Sequence, residues 1–368
     1  MTNRHVRKTV RNAGDLQARK DSWLTGQSRY TRTVLICAGA GCISCDCLPC
    51  REALETEIAA AGLAGSVQVR LTGCMGNCDA GPAMLVEPDG VFYCRLKPEN
   101  MRDIVARHLV NGQVAREFCH IDPKSGQVVE HLDDIGFFSR QHKVVLINCG
   151  RTGFDDIDEY IARNGFAALH KALTEMNPDQ VVEEIKQSGL RGRGGGGFPT
   201  GLKWALARKS QGDRKYIICN ADEGDPGAFM DRSLLEGDPF LVVEGMTLGG
   251  YAIGAGNGVI YVRAEYPLAV ERISRAVESA RGAGLLGNRI FGTGFSFDIE
   301  IRIGAGAFVC GEETALMNSV EGRRGEPRQK PPFPSERGLF GRPTVINNVE
   351  TFGNIAPIIL NGSAWFSS

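Results

Sequence analysis

Cysteine is crowded into one short stretch of this sequence, and that crowding restricts the fold more than any other feature. Eight of the twelve cysteines fall between residues 37 and 94. Small secreted proteins use such crowding for disulfides, but this chain has 368 residues and its N-terminus lacks an apolar secretory segment. Metal binding or redox chemistry is therefore the better interpretation. No run approaches the roughly 18 apolar residues of a membrane helix, so we expect a cytoplasmic protein of two or three domains without membrane insertion.

Two cysteine pairs enclose spacers that are rich in small residues. They are Cys37-Ala-Gly-Ala-Gly-Cys42 and Cys74-Met-Gly-Asn-Cys78, and each follows a predicted strand. An iron–sulfur cluster needs thiolates that converge from loops whose backbone approaches closely, which glycine permits. Two pairs supply the four ligands of one [2Fe–2S] centre. Because no histidine adjoins either pair, Rieske-type ligation is disfavoured.

The neighbouring cysteines leave alternatives open. The segment Cys42-Ile-Ser-Cys45 would also suit a zinc site, and Cys47-Leu-Pro-Cys50 would suit a thiol–disulfide pair at the start of a helix. Any single cysteine could instead fill the core. We expect the cysteines outside these motifs to be buried structural residues, namely Cys94, Cys119, Cys149 and Cys219.

Hydrophobic runs around the cysteine loops predict elements in the order β-α-β-β-β-α. The predicted segments are Thr33–Cys37, Arg51–Ala61, Val67–Leu71, Ala83–Val86, Val91–Cys94 and Pro98–Leu109. With the paired spacings and Gly81-Pro82, residues 33–110 resemble the thioredoxin-like [2Fe–2S] ferredoxin domain. The resemblance implies Cys37, Cys42, Cys74 and Cys78 as the cluster ligands.

The segments on either side of this domain carry weaker signals. Residues 1–32 contain eight Lys and Arg against two Asp, which predicts a solvated basic arm or packing helix rather than a nucleic-acid-binding tail. Residues 111–150 are polar and irregular, which predicts a linker or docking segment. Residues 151–368 then alternate helical and strand patterns, which predicts a second α/β domain.

A glycine run in the second domain, Gly192–Gly197, indicates a phosphate or ring cradle. It contains a literal G-x-G-x-x-G, but Val181–Ser188 before it has a helical pattern where the Rossmann fingerprint needs a strand. Consecutive residues without side chains let backbone N–H groups meet an anion, and Arg191, Arg193 and Lys203 add positive charge.

Four further motifs carry acidic, amide and aromatic groups suited to a nucleotide. A buried strand, Tyr216–Cys219, leads into Asn220–Gly227, and α/β ligand sites collect at such strand ends. The other motifs are Gly304–Thr314, with adjacent acids at a predicted helix start, Lys330–Pro334 and Val345–Thr351.

Together these motifs resemble the FMN- and NADH-binding core of the flavoprotein subunits of respiratory NADH dehydrogenase, NAD-dependent formate dehydrogenase and NAD(P)-linked multimeric hydrogenases. The resemblance covers about residues 150–360. It implies an FMN site made of Gly192, Arg193, Gly194, Gly197, Lys203, Asn220, Asp222, Gly311, Glu312, Ile346, Asn347, Asn348 and Thr351. It implies an NAD(H) site made of Phe198, Glu223, Asp225, Glu313, Lys330 and Phe333, of which Glu223 and Glu313 are the predicted catalytic residues.

The resemblance also implies an activity. The flavin would take hydride from NADH, and electrons would then leave singly through clusters, while the protein positions the reactants. A [2Fe–2S] domain ahead of a flavin domain is similar to the beta subunit of electron-bifurcating or NAD(P)-reducing [FeFe] hydrogenases, which we favour, and to that of soluble formate dehydrogenases. The implied partners are the hydrogenase catalytic subunit or formate dehydrogenase, a small [2Fe–2S] subunit or a ferredoxin. The choice between NAD and NADP stays open.

Two expectations complete the sequence interpretation. The family continues into an SLBB domain and a [4Fe–4S] domain, but no cysteine follows Cys310, so we expect a fragment or a C-terminally truncated relative. The alternative from another functional class is a non-catalytic, ferredoxin-like electron carrier with a degenerate nucleotide-binding scaffold.

Overall fold

The computed structural model describes residues 9–368 and divides them into two compact units. The first unit comprises residues 9–21, Asp155–Leu235 and Pro239–Ser368, and the second comprises Ser22–Phe154 with Glu236–Asp238. None of the helices in residues 9–368 combines the length and the apolar character that crossing a membrane requires.

The basic arm is helical where it is described, and its residues 1–8 lie outside the described part of the chain. Helix α1 (Ala13–Gln27) has no buried residue, but Val10 just before it is buried and its N–H donates to the carbonyl of Ala283. Arg19 forms an ion pair with Asp158 at 2.7 Å. Within the first unit, the arm is therefore held by packing and charge.

The second unit is built on a four-stranded mixed sheet with the strand order β2-β1-β3-β4. Strands β1 and β2 are parallel, and β1–β3 and β3–β4 are antiparallel. This order and the flanking helices confirm the predicted thioredoxin-like outline. The elements are β1 (Arg32–Cys37), α2 (Ala40–Ser44), α3 (Cys47–Ala60), β2 (Val67–Thr72), β3 (Met84–Glu87), β4 (Val91–Tyr93) and α4 (Asn100–Ile104), which continues as a π-helix over Val105–Val110.

Residues 111–150 differ from the predicted linker because they add side chains to the core of this unit. A small hairpin of β5 (His120–Ile121) and β6 (Val128–Val129) follows the π-helix. Leu132, Ile135 and Phe138 then pack into the same hydrophobic cluster as the main sheet. Three widely spaced apolar residues have no clear period, which is why the sequence pattern did not indicate their burial.

The first unit carries a four-stranded parallel sheet with the order β10-β7-β8-β9. Its strands are β7 (Tyr216–Ala221), β8 (Asn257–Arg263), β9 (Asp298–Gly304) and β10 (Thr344–Asn348). Its helices are α5 (Ile157–Ala162), α6 (Ala167–Glu175), α7 (Pro178–Gln187), α8 (Thr200–Lys209), α9 (Met230–Gly237), α10 (Pro239–Ile253), α11 (Pro267–Gly282), α12 (Glu313–Val320), α13 (Pro334–Arg337), α14 (Val349–Gly353), α15 (Ile355–Asn361) and α16 (Ser363–Ser367).

The helical pattern of Ile157–Leu173 is interrupted in the structure, so one predicted segment becomes α5 and α6. Asn164 and Phe166 both adopt positive φ, which few residues other than glycine do. A Cβ on Gly165 would lie 2.1 Å from the Tyr160 ring, so the chain must turn there without a side chain. Helix α7 is confirmed, and it begins with an Asn177 capping box followed by proline.

Parallel pairing brings the carboxyl ends of all four strands of the first unit to one edge. The register pairs Asn348 with Asn220, and Val262 of the neighbouring strand with Ala221 and Ile303. The last residues of β7 and β10, Ala221 and Asn348, are 127 residues apart in sequence, yet the motifs at the ends of β7, β9 and β10 meet along this one edge. This is the edge at which open α/β sheets bind ligands.

Helix α10 is the most buried helix of the first unit, and a close backbone contact on it generates a stability prediction. A Cβ on Gly245 would lie 2.1 Å from the carbonyl oxygen of Phe352, which cannot move as a side chain end could. We expect Gly245→Ala to lower the free energy of unfolding by about 3 kcal/mol. Gly282→Ala, whose Cβ meets nothing within 4 Å, should change it by less than about 1 kcal/mol. Thermal denaturation of the two variants checks this expectation. Equal shifts of the melting temperature in both variants would contradict it.

Candidate functional site

The four cysteines predicted to bind iron converge in the second unit. Cys37 ends β1, Cys42 lies in α2, and Cys74 and Cys78 belong to the loop after β2. The Cys37 thiol is hydrogen-bonded to those of Cys42 and Cys74. The Sγ atoms of Cys74 and Cys78 are 3.6 Å apart. Two loops thus bring the four cysteine thiols together.

Glycines allow these two loops to approach each other. A Cβ on Gly39 would lie 2.9 Å from Cβ of Cys74, closer than real contacts allow, and one on Gly81 would lie 3.0 Å from Sγ of Cys42. The N–H of Gly76 donates to Sγ of Cys74 at 3.3 Å. Glycine therefore supplies both the close approach and an N–H donor to sulfur, as the cluster prediction required.

The thiols suit a cluster chemically, although their present arrangement needs adjustment. Two thiolates on one tetrahedral ion with metal–sulfur bonds of about 2.3 Å lie about 3.8 Å apart, close to the 3.6 Å between Cys74 and Cys78. Within residues 9–368, no group of three or more Cys, His, Asp or Glu side chains is arranged as a ready metal site. The contact with Cys42 is the largest effect that raises the pKa of Cys37, to about 11. Iron binding would therefore release thiol protons and spread the sulfurs.

The other cysteines fall into two groups. Cys94, Cys119, Cys149 and Cys219 are buried, which confirms the expectation for them, and Cys310 is buried as well. Cys45 is exposed, whereas Cys47 and Cys50 are buried at the start of α3. Burial is the main cause that raises the pKa of Cys50, to about 11, so this thiol stays protonated at neutral pH.

In the first unit, the glycine loop lies against the end of β10. The loop is closed by a bond from the N–H of Gly192 to the carbonyl of Phe198 at 2.9 Å. The N–H of Arg193 donates to Oγ1 of Thr351 at 2.9 Å, and a Cβ on Gly194 would lie 3.1 Å from Cβ of Asn348. The following two glycines face open space, with nothing within 4 Å of an added Cβ. Their backbone is accessible to a ligand.

Helix α8 brings the predicted residue Lys203 and its neighbour Trp204 to the same strand end. Nζ of Lys203 donates to the carbonyl of Ile346 at 2.9 Å. The indole N–H of Trp204, which is buried, donates to Oδ1 of Asn347 at 2.9 Å. Because both contacts reach β10 from α8, they fix the position of the lysine relative to Thr351 and Asn348.

The end of β7 and the residues that follow it occupy the centre of the edge. Nδ2 of Asn220 donates to the carbonyl of Gly311 at 2.8 Å, which joins the ends of β7 and the segment after β9. Asp222 is buried, its Oδ2 atom has no hydrogen-bond partner in the described protein, and burial raises its pKa to about 6. A buried acceptor without a donor fits a site that a ligand completes. Asp225, further along the loop, is exposed.

Two lysines and two glutamates form a chain of charges beside this edge. Nζ of Lys330 lies 2.7 Å from Glu313 and 3.1 Å from Glu312, and Nζ of Lys203 lies 3.6 Å from Glu313. Burial lowers the pKa of Lys203. Burial alone would lower the pKa of Lys330, but the hydrogen bonds of Lys330 to Glu313 and Glu312 raise it overall. Glu312 also caps α12 by accepting from the N–H groups of its first turn.

The aromatic residues predicted for NAD(H) are accessible. Phe198 is 45% exposed and Phe333 is 55% exposed, values that are high for phenylalanine and typical of a binding surface. Phe308, which the sequence interpretation did not single out, is 68% exposed and packs over Gly224, where a Cβ would lie 2.6 Å from its ring. Its position inside the Gly304–Thr314 motif was the available signal.

Asp231 is the residue that sequence reasoning missed most clearly. Its Oδ2 accepts from Nδ2 of Asn348 at 2.6 Å, and its own N–H donates to Glu223 at 3.1 Å. It therefore links a predicted FMN residue to a predicted catalytic one. Burial, followed by repulsion from Glu223, raises its pKa to about 8. In the sequence, an aspartate near a helix start indicates only capping.

Comparison with known proteins bears on both units. Residues 185–357 match the family model of the Nuo51 FMN-binding domain, which confirms the resemblance that the motifs of this region implied. The NADP-reducing hydrogenase subunit HndC of Solidesulfovibrio fructosivorans is 59% identical over 228 residues, 62% of this chain and 46% of that protein. The NAD-reducing hydrogenase HoxS subunit alpha of Cupriavidus necator is 43% identical over 296 residues, 80% of this chain and 47% of that protein. The chain thus spans about half the length of the curated relatives it matches.

One solved structure resembles almost the whole chain. It is an NAD+-reducing [NiFe]-hydrogenase in the H2-reduced state, with a TM-score of 0.53 and 28% identity. The match covers 96% of this chain and 60% of the hydrogenase chain. The resemblance to hydrogenase subunits that the motifs implied is confirmed.

The glycine contacts of the cysteine loops generate a prediction about iron binding. In Gly39→Ala, the new Cβ would push against Cα and Cβ of Cys74, so we expect less than about half the iron of the unchanged protein. Gly41→Ala is the matched control, because its Cβ would meet Cys78 at an ordinary 3.6 Å. Iron per chain and visible absorption after reconstitution measure the difference. Equal iron in both variants would contradict the proposed convergence.

The raised pKa of Asp231 generates a prediction about stability and pH. The folded state keeps this proton up to about pH 8, whereas an unfolded aspartate loses it near pH 4. Stability should therefore fall as pH rises between about 4 and 8. Asp231→Asn, which does not titrate, should make that fall shallower, and the exposed Glu278→Gln should leave it unchanged. Denaturant unfolding at several pH values checks this, and parallel curves for all three proteins would refute it.

Proposed function

We propose that this chain, whose residues 185–357 form a Nuo51-type FMN-binding domain, is an NAD(P)H-dependent oxidoreductase flavoprotein subunit that also carries a [2Fe–2S] cluster. The observation that carries the proposal is the edge of the parallel sheet in the first unit. There the glycine loop, a lysine, a buried carboxylate without a donor and an amide-rich strand end meet. In the proposal, each of these groups contacts a part of FMN or of the dinucleotide.

The phosphate of FMN would be held by the glycine loop and the end of β10. The accessible backbone between Gly194 and Gly197 offers N–H donors, and Thr351 and Asn348 lie directly behind it. The ammonium of Lys203 adds positive charge within the same region. Phosphate recognition by backbone N–H groups with a lysine nearby is an ordinary use of these groups.

The ring of the flavin would then lie along the strand ends. Asn220 and Asp222 offer an amide and a buried carboxyl to its polar edge. Because the pKa of Asp222 is raised to about 6, part of its population can donate as well as accept near neutral pH. Gly311 lies beside this carboxyl, since an added Cβ would lie 3.6 Å from Asp222 Oδ2.

The dinucleotide would bind across the exposed aromatic residues and the charge chain. Phe198 and Phe333 present faces for stacking. Glu313 can accept from ribose hydroxyls while Lys330 holds its orientation at 2.7 Å. Glu223 is fixed by the N–H groups of Asp231 and Arg232, so its carboxylate stays in place beside the strand edge.

When bound, the flavin supplies the chemistry, which is hydride acceptance from NAD(P)H followed by release of single electrons. The residues of this chain orient the reactants and stabilise charge. Lys203 and Lys330 counter the negative charge of phosphates and of Glu313. No acid–base side chain pair is required for a hydride transfer of this kind.

The complex and its location extend the proposal. The relatives HndC and HoxS subunit alpha are hydrogenase subunits, so we propose that this chain works in an NAD(P)-linked hydrogenase complex, with formate dehydrogenase or respiratory NADH dehydrogenase as the alternative. Its partners would be the catalytic subunit, a small [2Fe–2S] subunit and a ferredoxin. All twelve cysteines are free thiols, which favours a reducing, cytoplasmic environment.

The spectrum of the reconstituted protein tests the proposal. After anaerobic loading with iron, sulfide and FMN, we expect flavin and [2Fe–2S] absorption that bleaches when NADH or NADPH is added. Lys203→Met should weaken FMN binding about 10- to 100-fold, because a hydrogen bond to a charged group contributes about 1.5–3 kcal/mol. Lys209→Met, an exposed lysine on the same helix, is the matched control.

The outcomes separate the proposed functions. A protein that binds no flavin and ignores both nucleotides, yet shows the iron–sulfur spectrum, would be an electron carrier rather than a dehydrogenase subunit. Equal flavin affinity in both lysine variants would remove Lys203 from the site. Comparison of NADH with NADPH at equal concentration decides the nucleotide.

A further inference from the structure

A pocket of about 340 Å³ opens in the second unit beside the loop that carries Cys74 and Cys78. Its walls include Asn77, which directly precedes Cys78 in that loop, together with Lys124, Phe137 and Arg140. The volume is at the small end of the range of about 300–1,000 Å³ for ligand pockets. It suits one or two inserted side chains better than a cofactor.

One wall of the pocket packs against the loop that carries Cys74 and Cys78. Phe138, another wall residue, packs under Gly76, where an added Cβ would lie 3.3 Å from its ring. The N–H of Gly76 in turn donates to Sγ of Cys74. A molecule bound in the pocket would therefore lie against the loop that holds two of the four predicted iron ligands.

The surface around the pocket is apolar as well as concave. Phe137 is 63% exposed, and Ile121 of the neighbouring hairpin is 49% exposed. Nδ1 of His120, which also lines the pocket, is buried and has no hydrogen-bond partner within the described residues. An exposed aromatic beside an unsatisfied polar atom indicates a surface that another molecule covers.

The charge of the pocket differs from that of its surroundings. The second unit carries 16 Asp and Glu against 13 Lys and Arg, yet the pocket lining includes Lys124 and Arg140 and no acidic residue. Two acidic residues adjoin lining residues in sequence. The carboxylate of Asp122 accepts from the backbone N–H groups of Lys124 and Ser125, and Asp134, which precedes Ile135, is exposed to solvent. The pocket is thus a basic opening on an acidic unit.

We propose that this pocket is the docking surface for an acidic protein electron carrier. Carboxylates of the carrier would contact Lys124 and Arg140, and Phe137 would pack against its apolar contact patch. One electron passes between the reduced cluster and the oxidised carrier, or in the reverse direction, with no bond made or broken. Complementary charge speeds the encounter and restricts the choice of partner. The proposal rests on the proposed cluster, which brings the redox centre to this loop.

Binding of an acidic plant-type [2Fe–2S] ferredoxin to the full reconstituted chain tests the docking surface. We expect Lys124→Glu combined with Arg140→Glu to raise the dissociation constant at least about tenfold at low ionic strength. Phe137→Ala should raise the dissociation constant about threefold or more, because an exposed aromatic anchor is removed. Calorimetry measures binding directly, so the readout does not depend on NADH oxidation.

The matched control reverses two charges elsewhere on the same unit. Lys97→Glu combined with Arg102→Glu changes the net charge equally at exposed positions outside the pocket lining. It should leave the dissociation constant within about twofold. Basic cytochrome c, used as a second probe, should not compete for the surface.

Three results would overturn the docking proposal. They are no ferredoxin binding by the unchanged protein, equal weakening by both double variants, or binding that Phe137→Ala leaves unaltered. The visible spectrum and NADH response of each preparation are recorded in parallel. Loss of those signals in the unchanged protein would reject the proposed function, whereas intact signals without ferredoxin binding would reject the docking surface alone.

Discussion

The parallel alignment of β7, β8, β9 and β10 is the constraint on which the candidate cofactor site depends. Each strand pairs with its neighbour in a register that brings their carboxyl ends to one edge. Asn220 and Asn348 lie at the ends of β7 and β10, and the segment after β9 brings Gly311 to the same place. Hydrogen bonds across the gap, such as that from Asn220 to the Gly311 carbonyl, keep the loops in position. A ligand can therefore be recognised by backbone and amide groups that the sheet itself holds.

Electrostatic compensation is the second requirement, because the same edge gathers many carboxyl groups in a poorly solvated place. Lys203 and Lys330 neutralise the glutamates that adjoin α12. Asp231 remains neutral instead, since burial and Glu223 together raise its pKa to about 8. Isolated buried charges are costly, so the three glutamates and Asp231 at this edge are each paired, hydrogen-bonded or protonated. Asp222 is the exception whose oxygen lacks a donor, and the proposed flavin would supply it.

Local sequence signals predicted the elements better than their assembly. Runs such as Thr33–Cys37 and Tyr216–Cys219 became strands, and the helix before the glycine run was recognised, which excluded a Rossmann site. Helix α3 begins earlier than predicted, at Cys47, because proline and cysteine tolerate its first turn. The burial of residues 132–138 depends on contacts with a distant sheet and has no local period. The role of Asp231 likewise arises only when β10 lies beside α9.

The central claim is that the glycine loop and the end of β10 form a phosphate cradle for FMN. Fluorescence titration of the flavin-free protein with FMN and with riboflavin, which differ only in the phosphate, tests it most directly. The account predicts that riboflavin binds at least about 100-fold more weakly, since charge-assisted hydrogen bonds to phosphate are lost. Equal affinity for the two flavins, or no affinity for either, would contradict a phosphate site at Gly192–Gly197.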